Sequence, residues 1–129
     1  MPPSGSRPKS SRRIEAERSG QRAEWLAGVF LRLKLYRIIA RRYRTPVGEI
    51  DIIAERGGTV VFVEVKARSA RASEADTWEA VNTRRIARAA EYWQAMNPGQ
   101  AGRDMRFDVI FLAPGRWPRH VVNAFDAVG

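Results

Sequence analysis

Gly48-Glu49-Ile50-Asp51-Ile52-Ile53-Ala54-Glu55-Arg56-Gly57-Gly58-Thr59-Val60-Val61-Phe62-Val63-Glu64-Val65-Lys66 reads as two β-rich runs on either side of a Gly-Gly pair. Both central positions of a tight hairpin turn need positive φ, which glycine supplies without steric cost. Strands over 48–55 and 60–66 are therefore expected to pair antiparallel. If Arg56 faces Thr59, the rest of the register follows. Ile50 then faces Val65, Ile52 faces Val63 and Ala54 faces Val61, a wholly apolar face that must be buried; a one-residue slip would bury the charges instead. On the other face Asp51 falls opposite Glu64, Glu49 opposite Lys66, and Ile53 opposite Phe62.

Two carboxylates directly opposed in a sheet repel each other, so a cation is expected between Asp51 and Glu64. Lys66, two residues after Glu64 on the same face, meets part of that need. A hard divalent ion with oxygen ligands meets it better, and Mg²⁺ (or Mn²⁺) suits a site with few carboxylates because it keeps waters and takes phosphate oxygens as further ligands. The chemistry expected is metal-assisted phosphodiester hydrolysis: Asp51 and Glu64 hold the ion, and Lys66 positions the attacking water or offsets developing charge. The competing reading is an ordinary exposed strand face, with Glu49 and Lys66 as a surface pair worth at most about 1 kcal/mol.

Working outward, Trp25, Leu26, Val29, Phe30 and Leu33 recur at helical spacing and predict a core-packing helix over residues 18–35. Gly28 inside it costs about 1 kcal/mol relative to alanine and suggests close approach of another backbone. Residues 36–43 read as an edge strand with a solvated basic side. After a polar loop at 67–76, Ile86, Ala89, Ala90, Trp93 and Met96 predict a second helix, capped by Asn82 or Thr83 and ended by Asn97-Pro98-Gly99. Strands are expected at 105–112 and 120–125. The order α-β-β-β-α-β-β implies an α/β fold, a mixed β-sheet flanked by helices.

With 129 residues, 44% of them hydrophobic, the chain suits one domain, expected over 14–129. Residues 1–13, rich in Pro, Ser and basic side chains, have too little apolar surface to offset ordering and read as a disordered basic arm. There is no cysteine, which excludes disulfides and thiolate zinc sites and allows a reducing compartment. No run of roughly 20 apolar residues is present, so a soluble cytoplasmic protein without membrane association is expected. The net charge of +9 comes entirely from residues 1–44, which hold twelve of the 23 basic residues and only three of the 14 acidic ones. A basic segment beside a neutral body suits nucleic-acid phosphates. Arg41, Arg42 and Arg44 on the edge strand and Arg68 after the hairpin are the candidate phosphate contacts.

At these residues the sequence resembles the YraN-like bacterial proteins of the restriction-endonuclease-like superfamily, whose signature is PD-(D/E)xK. The resemblance covers residues 18 to the C-terminus and is carried by the 48–54 run, by Val61-Phe62-Val63-Glu64-Val65-Lys66-Ala67-Arg68 and by Arg106-Phe107-Asp108-Val109. It implies a restriction-endonuclease-like fold, Asp51 as the motif aspartate and Glu64 with Lys66 as its acid-x-lysine half. Similarity to Holliday-junction resolvases implies Glu24 on the first helix as a further metal ligand, DNA rather than RNA as substrate, branched or flapped in structure, and pairing of subunits as a homodimer. The family commonly has a lysine early in the second helix. Here Val81-Asn82-Thr83-Arg84-Arg85 stands in its place, with Arg84 or Arg85 as the substitute phosphate contact. The alternative function is a catalytically inactive nucleic-acid-binding module of the same fold. His120 has no evident partner and reads as incidental. Asp108 reads as a supporting carboxylate or a solvated residue. Of Trp25, Trp78, Trp93 and Trp117, at least Trp25 and Trp93 follow core spacing.

Overall fold

Gly57 and Gly58, at φ 58° and 83°, close the hairpin turn as the two glycines require. In the computed structural model, which describes residues 9–68 and 81–126 and side chains from residue 20, this hairpin is the middle of a five-stranded sheet. Helix α1 (Lys9–Leu33) leads into β1 (Arg37–Thr45), β2 (Gly48–Arg56) and β3 (Thr59–Ala67); α2 (Thr83–Met96) then leads to β4 (Asp104–Leu112) and β5 (Arg119–Phe125). The strands lie in the order β1-β2-β3-β4-β5, with β3 and β4 parallel and the other neighbours antiparallel. The connection through α2 makes the parallel pair possible, since parallel strands need a long crossover. The α/β class and the element order are those the sequence implies.

Two cores lie on opposite faces of the sheet. Ile52, Ala54, Val61, Val63 and Ile110 pack with Ala27 and Leu31 of α1. Ile53, Val60, Phe62 and Phe107 pack with Ile86, Ala90 and Trp93 of α2. The hairpin register is the expected one from Arg56↔Thr59 to Ile52↔Val63. Ile50, however, packs with Ile53 on the α2 side rather than with Ile52. Its partner across β1 is Tyr43, next to Arg42, whose φ of 48° interrupts the alternation of faces in that strand.

The first helix buries a different stripe from the one its large apolar residues suggest. Ala23, Ala27 and Leu31 are buried, while Trp25, Leu26 and Leu33 are exposed. Small side chains let the helix sit close to the sheet. At Gly28 the close neighbour is the Arg41 guanidinium, which an added Cβ would meet at 2.7 Å, not another backbone. Helical backbone begins at Lys9, inside the stretch expected to be an arm. Residues 1–8, 69–80 (Trp78 and most of the stretch expected to be a loop) and 127–129 lie outside the described residues. In α2 the Asn82 side chain accepts the Arg85 N–H at 3.0 Å, the cap expected there, and Trp93 is core, but Met96 is exposed.

Candidate active site

Beyond Ile52↔Val63 the β2–β3 ladder ends, and the Val65 N–H is donated at 2.8 Å to the Asp51 carboxylate instead of to a backbone carbonyl. Where the strands part, a cavity of about 270 Å³ opens, lined by Glu49, Asp51, Glu64 and Lys66 from the hairpin and by Asn82 and Arg85 from the start of α2. Glu24 reaches the same place from α1. It occupies a position on the sheet-facing stripe, four residues before Gly28, and its side chain is only 16% exposed. Glu24, Glu49 and Asp51 can each offer one oxygen with all three within 4.8 Å of one another.

Crowding these acids away from water raises their pKa values. Glu64 is pushed up to about 8, by burial first and then by the charge of Asp51, with Lys66 opposing. Its partner cation is Lys66, Nζ to Oε1 3.3 Å. Glu24 is raised to about 7 by burial and by Asp51, with Arg42 opposing. Asp51 is also raised by burial, against the Val65 N–H and a hydrogen bond from Glu64. The hydrogen bond between the two carboxyls lowers Asp51 and raises Glu64, so of the pair Glu64 is the one that binds a proton more tightly.

Glu49, expected opposite Lys66 as its surface partner, is instead drawn to Arg42 and Arg44 at 3.6 and 3.7 Å. Arg42 also lies 3.6 Å from Glu24, and its buried Nε has no hydrogen-bond acceptor. Of the arginines expected at phosphate, Arg42 and Arg44 thus face carboxylates, and Arg41 lies against Gly28 with its side chain exposed. Arg68 stacks its guanidinium 5.9 Å over the Phe111 ring. Arg85 lines the cavity, whereas Arg84 is exposed and does not. The stem of Arg85 runs against Gly48, where an added Cβ would lie 2.5 Å from its Cγ, so the absence of a side chain at 48 is what lets Arg85 in.

His120 is not incidental. Its side chain is 2% exposed; Nε2 lies 2.7 Å from Asp108 Oδ2, and Nδ1 lies 2.7 Å from Lys34 Nζ. Asp108, fully buried, also accepts two bonds from Arg106 and one from the Asn123 N–H. Arg106 continues to the Tyr36 hydroxyl at 2.7 Å. This network fastens the end of α1 to β4 and β5. Its members are far apart in the chain, so no local spacing announces it; Arg106 and Asp108 alternating with apolar residues in a central strand was the available signal. Glu49 and Asn82 are the other site residues that sequence reasoning set aside, though adjacency to Asp51 and to the α2 start marked both.

Among the described residues no helix is long and apolar enough to cross a membrane. The family model described as "Uncharacterised protein family UPF0102" matches residues 23–112, which include every acid of the cavity. The chain is similar to the UPF0102 protein mlr4633 of Mesorhizobium japonicum, 50% identical over 119 residues that make up 92% of this chain and 94% of the relative. It is also similar to a UPF0102 protein of Chelativorans sp., 46% identical over 89% of this chain and 93% of the relative, and to bll0669 of Bradyrhizobium diazoefficiens, 46% identical over 98% and 96%. The chain belongs to the uncharacterised family UPF0102, the YraN-like family that its hairpin and fourth-strand motifs resemble.

Proposed function

We propose that the protein is a metal-dependent endonuclease that hydrolyses phosphodiester bonds in DNA, with its reacting phosphate held at the cavity between β2, β3 and the start of α2. The observation that carries this reading is the convergence of Asp51, Glu64 and Lys66 where the ladder opens, with Glu24 and Glu49 completing an all-oxygen donor set. Three carboxyls held within 4.8 Å of one another, Glu24, Glu49 and Asp51, with Glu64 beside Asp51, are a set whose protons a hard divalent ion would displace, Glu24 being pushed up to about 7 and Glu64 to about 8. Asp51, Glu24 and Glu49 are the residues that would hold Mg²⁺ or Mn²⁺, with Glu64 alongside Asp51. The ion supplies polarisation of the phosphoryl oxygen and a lowered pKa for water.

The chain's own residues supply the rest. Lys66, held by Glu64, offsets charge developing on the phosphoryl oxygens and orients the incoming water. Arg85, seated against Gly48, presents a guanidinium to the phosphate on the α2 side, in the place where the family commonly has lysine. Asp51 is fixed by the Val65 N–H, which prevents its carboxylate from turning away. A flapped DNA duplex incubated with Mn²⁺ tests the reading: wild type cuts it, and Asp51→Asn binds it without cutting. Equal cutting by both would place the chemistry elsewhere. Salt-sensitive binding without cutting by either protein would favour the inactive binding module.

A further inference from the structure

A second cavity, about 590 Å³, runs between α1 and the far ends of β3 and β4, and the metal site does not use it. Leu26 and Phe30 form part of its apolar wall, and among the described residues Arg22, Arg68 and Arg116 are its charged members, with no acid beside them in the lining. Its volume falls in the range of about 300–1,000 Å³ found for small-molecule sites. Trp117 projects beside it at 89% exposure. The cavity lies at the same end of β3 as the carboxylate site. Ala23 lines it and the next residue is Glu24; Ala67 and Arg68 line it and the preceding residue is Lys66. Successive residues of a strand point to opposite faces, so the groove opens on the α1 face and the carboxylate site on the α2 face, around one end of β3.

We infer that this groove receives the unpaired bases of a single-stranded DNA tail leading away from the phosphate held at the carboxylate site. The chemistry of the lining selects that occupant. Base faces are apolar and flat and stack on an exposed indole; the phosphates between them take the arginines of the lining. The Arg68 guanidinium carbon lies 5.9 Å from the centre of the Phe111 ring, a cation–π contact that helps to place it. The assignment rests on the nuclease reading for its direction, since a strand reaches the groove from the scissile phosphate by passing round that end of the sheet. It makes flapped or tailed DNA, rather than a blunt duplex, the preferred substrate.

The test is binding of the full-length protein, in EDTA so that cutting plays no part, to a fluorescent duplex with a ten-nucleotide single-stranded tail and to the blunt duplex. Wild type is expected to bind the tailed DNA about tenfold more tightly, in keeping with base–aromatic stacking. Trp117→Ala and Arg116→Ala should each bring the tailed-to-blunt ratio towards one, with Trp117→Phe restoring most of it. A ratio that neither alanine variant changes overturns the inference. So does a concentration-dependent dimer that Trp117→Ala dissociates, which would give the groove to a second copy of the chain. Flotation on anionic vesicles that Trp117→Ala abolishes would give it to lipid and overturn it equally. Cleavage is read separately. A lost ratio with intact cutting removes the groove alone, and an intact ratio with no cutting removes the nuclease reading alone.

Discussion

The Asp51 carboxylate accepts the Val65 N–H at 2.8 Å, taking a backbone donor at the point where β2 and β3 cease to pair. One side chain thereby does two things: it satisfies the amide that the end of the ladder leaves over, and it is held facing Glu64 and Lys66. The site exists because the hairpin opens there, and the opening is tolerated because Asp51 closes the hydrogen-bond account.

Stability without metal should fall as pH rises. The Glu64 carboxyl lies at about 8 in the folded chain against an ordinary 4.5, so the folded state binds that proton more tightly than the unfolded one. The contribution is complete below about pH 4.5 and lost as pH rises through about 8; Glu24, at about 7, acts in the same direction. In EDTA, Tm at pH 8.5 should lie below Tm at pH 5.5, with a shallower slope in Glu64→Gln. Mn²⁺ should raise Tm most at the higher pH, where protons no longer compete, and should raise it little in Asp51→Asn. A flat profile in EDTA would contradict the burial assigned to these acids.

Asp108 should be the most sensitive polar position in the fold. Burial would raise its pKa, but bonds from His120, Arg106 and the Asn123 N–H outweigh burial and hold its carboxyl below the usual range. Asn123, at φ 54°, turns its amide inward at an irregularity of the β4–β5 ladder. Asp108→Ala leaves the Arg106 and His120 side chains without their acceptor and should cost roughly 3–5 kcal/mol in urea titrations. A loss under about 1 kcal/mol would mean that the network contributes little.

Leu35 ends α1 in the left-handed region, φ 70°, with Tyr36 N–H bonded back to the Leu31 carbonyl at 2.9 Å. Glycine is the usual residue at such a position, and Leu35 is 79% exposed, so little packing is lost by removing it. Leu35→Gly should stabilise the protein by up to about 1 kcal/mol, measured by chemical denaturation, because the relief of left-handed strain exceeds the added unfolded-state entropy.

Gly48→Ala should behave as an Arg85 variant. The added Cβ occupies the path of the Arg85 stem, so the guanidinium is displaced from the cavity. Cleavage by Gly48→Ala and by Arg85→Ala should fall alike, and the double variant should be little worse than either, since both remove one interaction. Additive losses in that cycle would separate Gly48 from Arg85.

Much of the site was legible because a Gly-Gly turn sets a register and a register sets which side chains meet. That register brought Asp51, Glu64 and Lys66 to one end of the hairpin, although the ladder stops at Ile52↔Val63, short of the direct Asp51–Glu64 pairing expected. The side taken by Ile50 did not follow: this residue packs with Ile53, and its β1 partner Tyr43 follows Arg42 at φ 48°, an irregularity that no pattern of apolar residues announces. In α1 the large apolar residues suggested the buried stripe, whereas close packing against the sheet selected Ala23, Ala27 and Leu31. Glu24 sits on that narrower stripe, which is why its burial was hard to read and its proposed role as a ligand came through resemblance. His120 and Asp108 meet only through β4–β5 pairing, a long-range event outside the reach of local spacing.

The most direct test is cleavage of linear, flapped and four-way DNA in Mg²⁺, Mn²⁺ or EDTA, wild type beside Glu64→Gln. The arrangement at the open end of the hairpin predicts metal-dependent cutting, abolished by EDTA and reduced at least a hundredfold in the variant, on the order expected for loss of a residue acting at the reacting phosphate. Cutting that persists undiminished in Glu64→Gln, or DNA left whole at high protein excess with either metal, would contradict it.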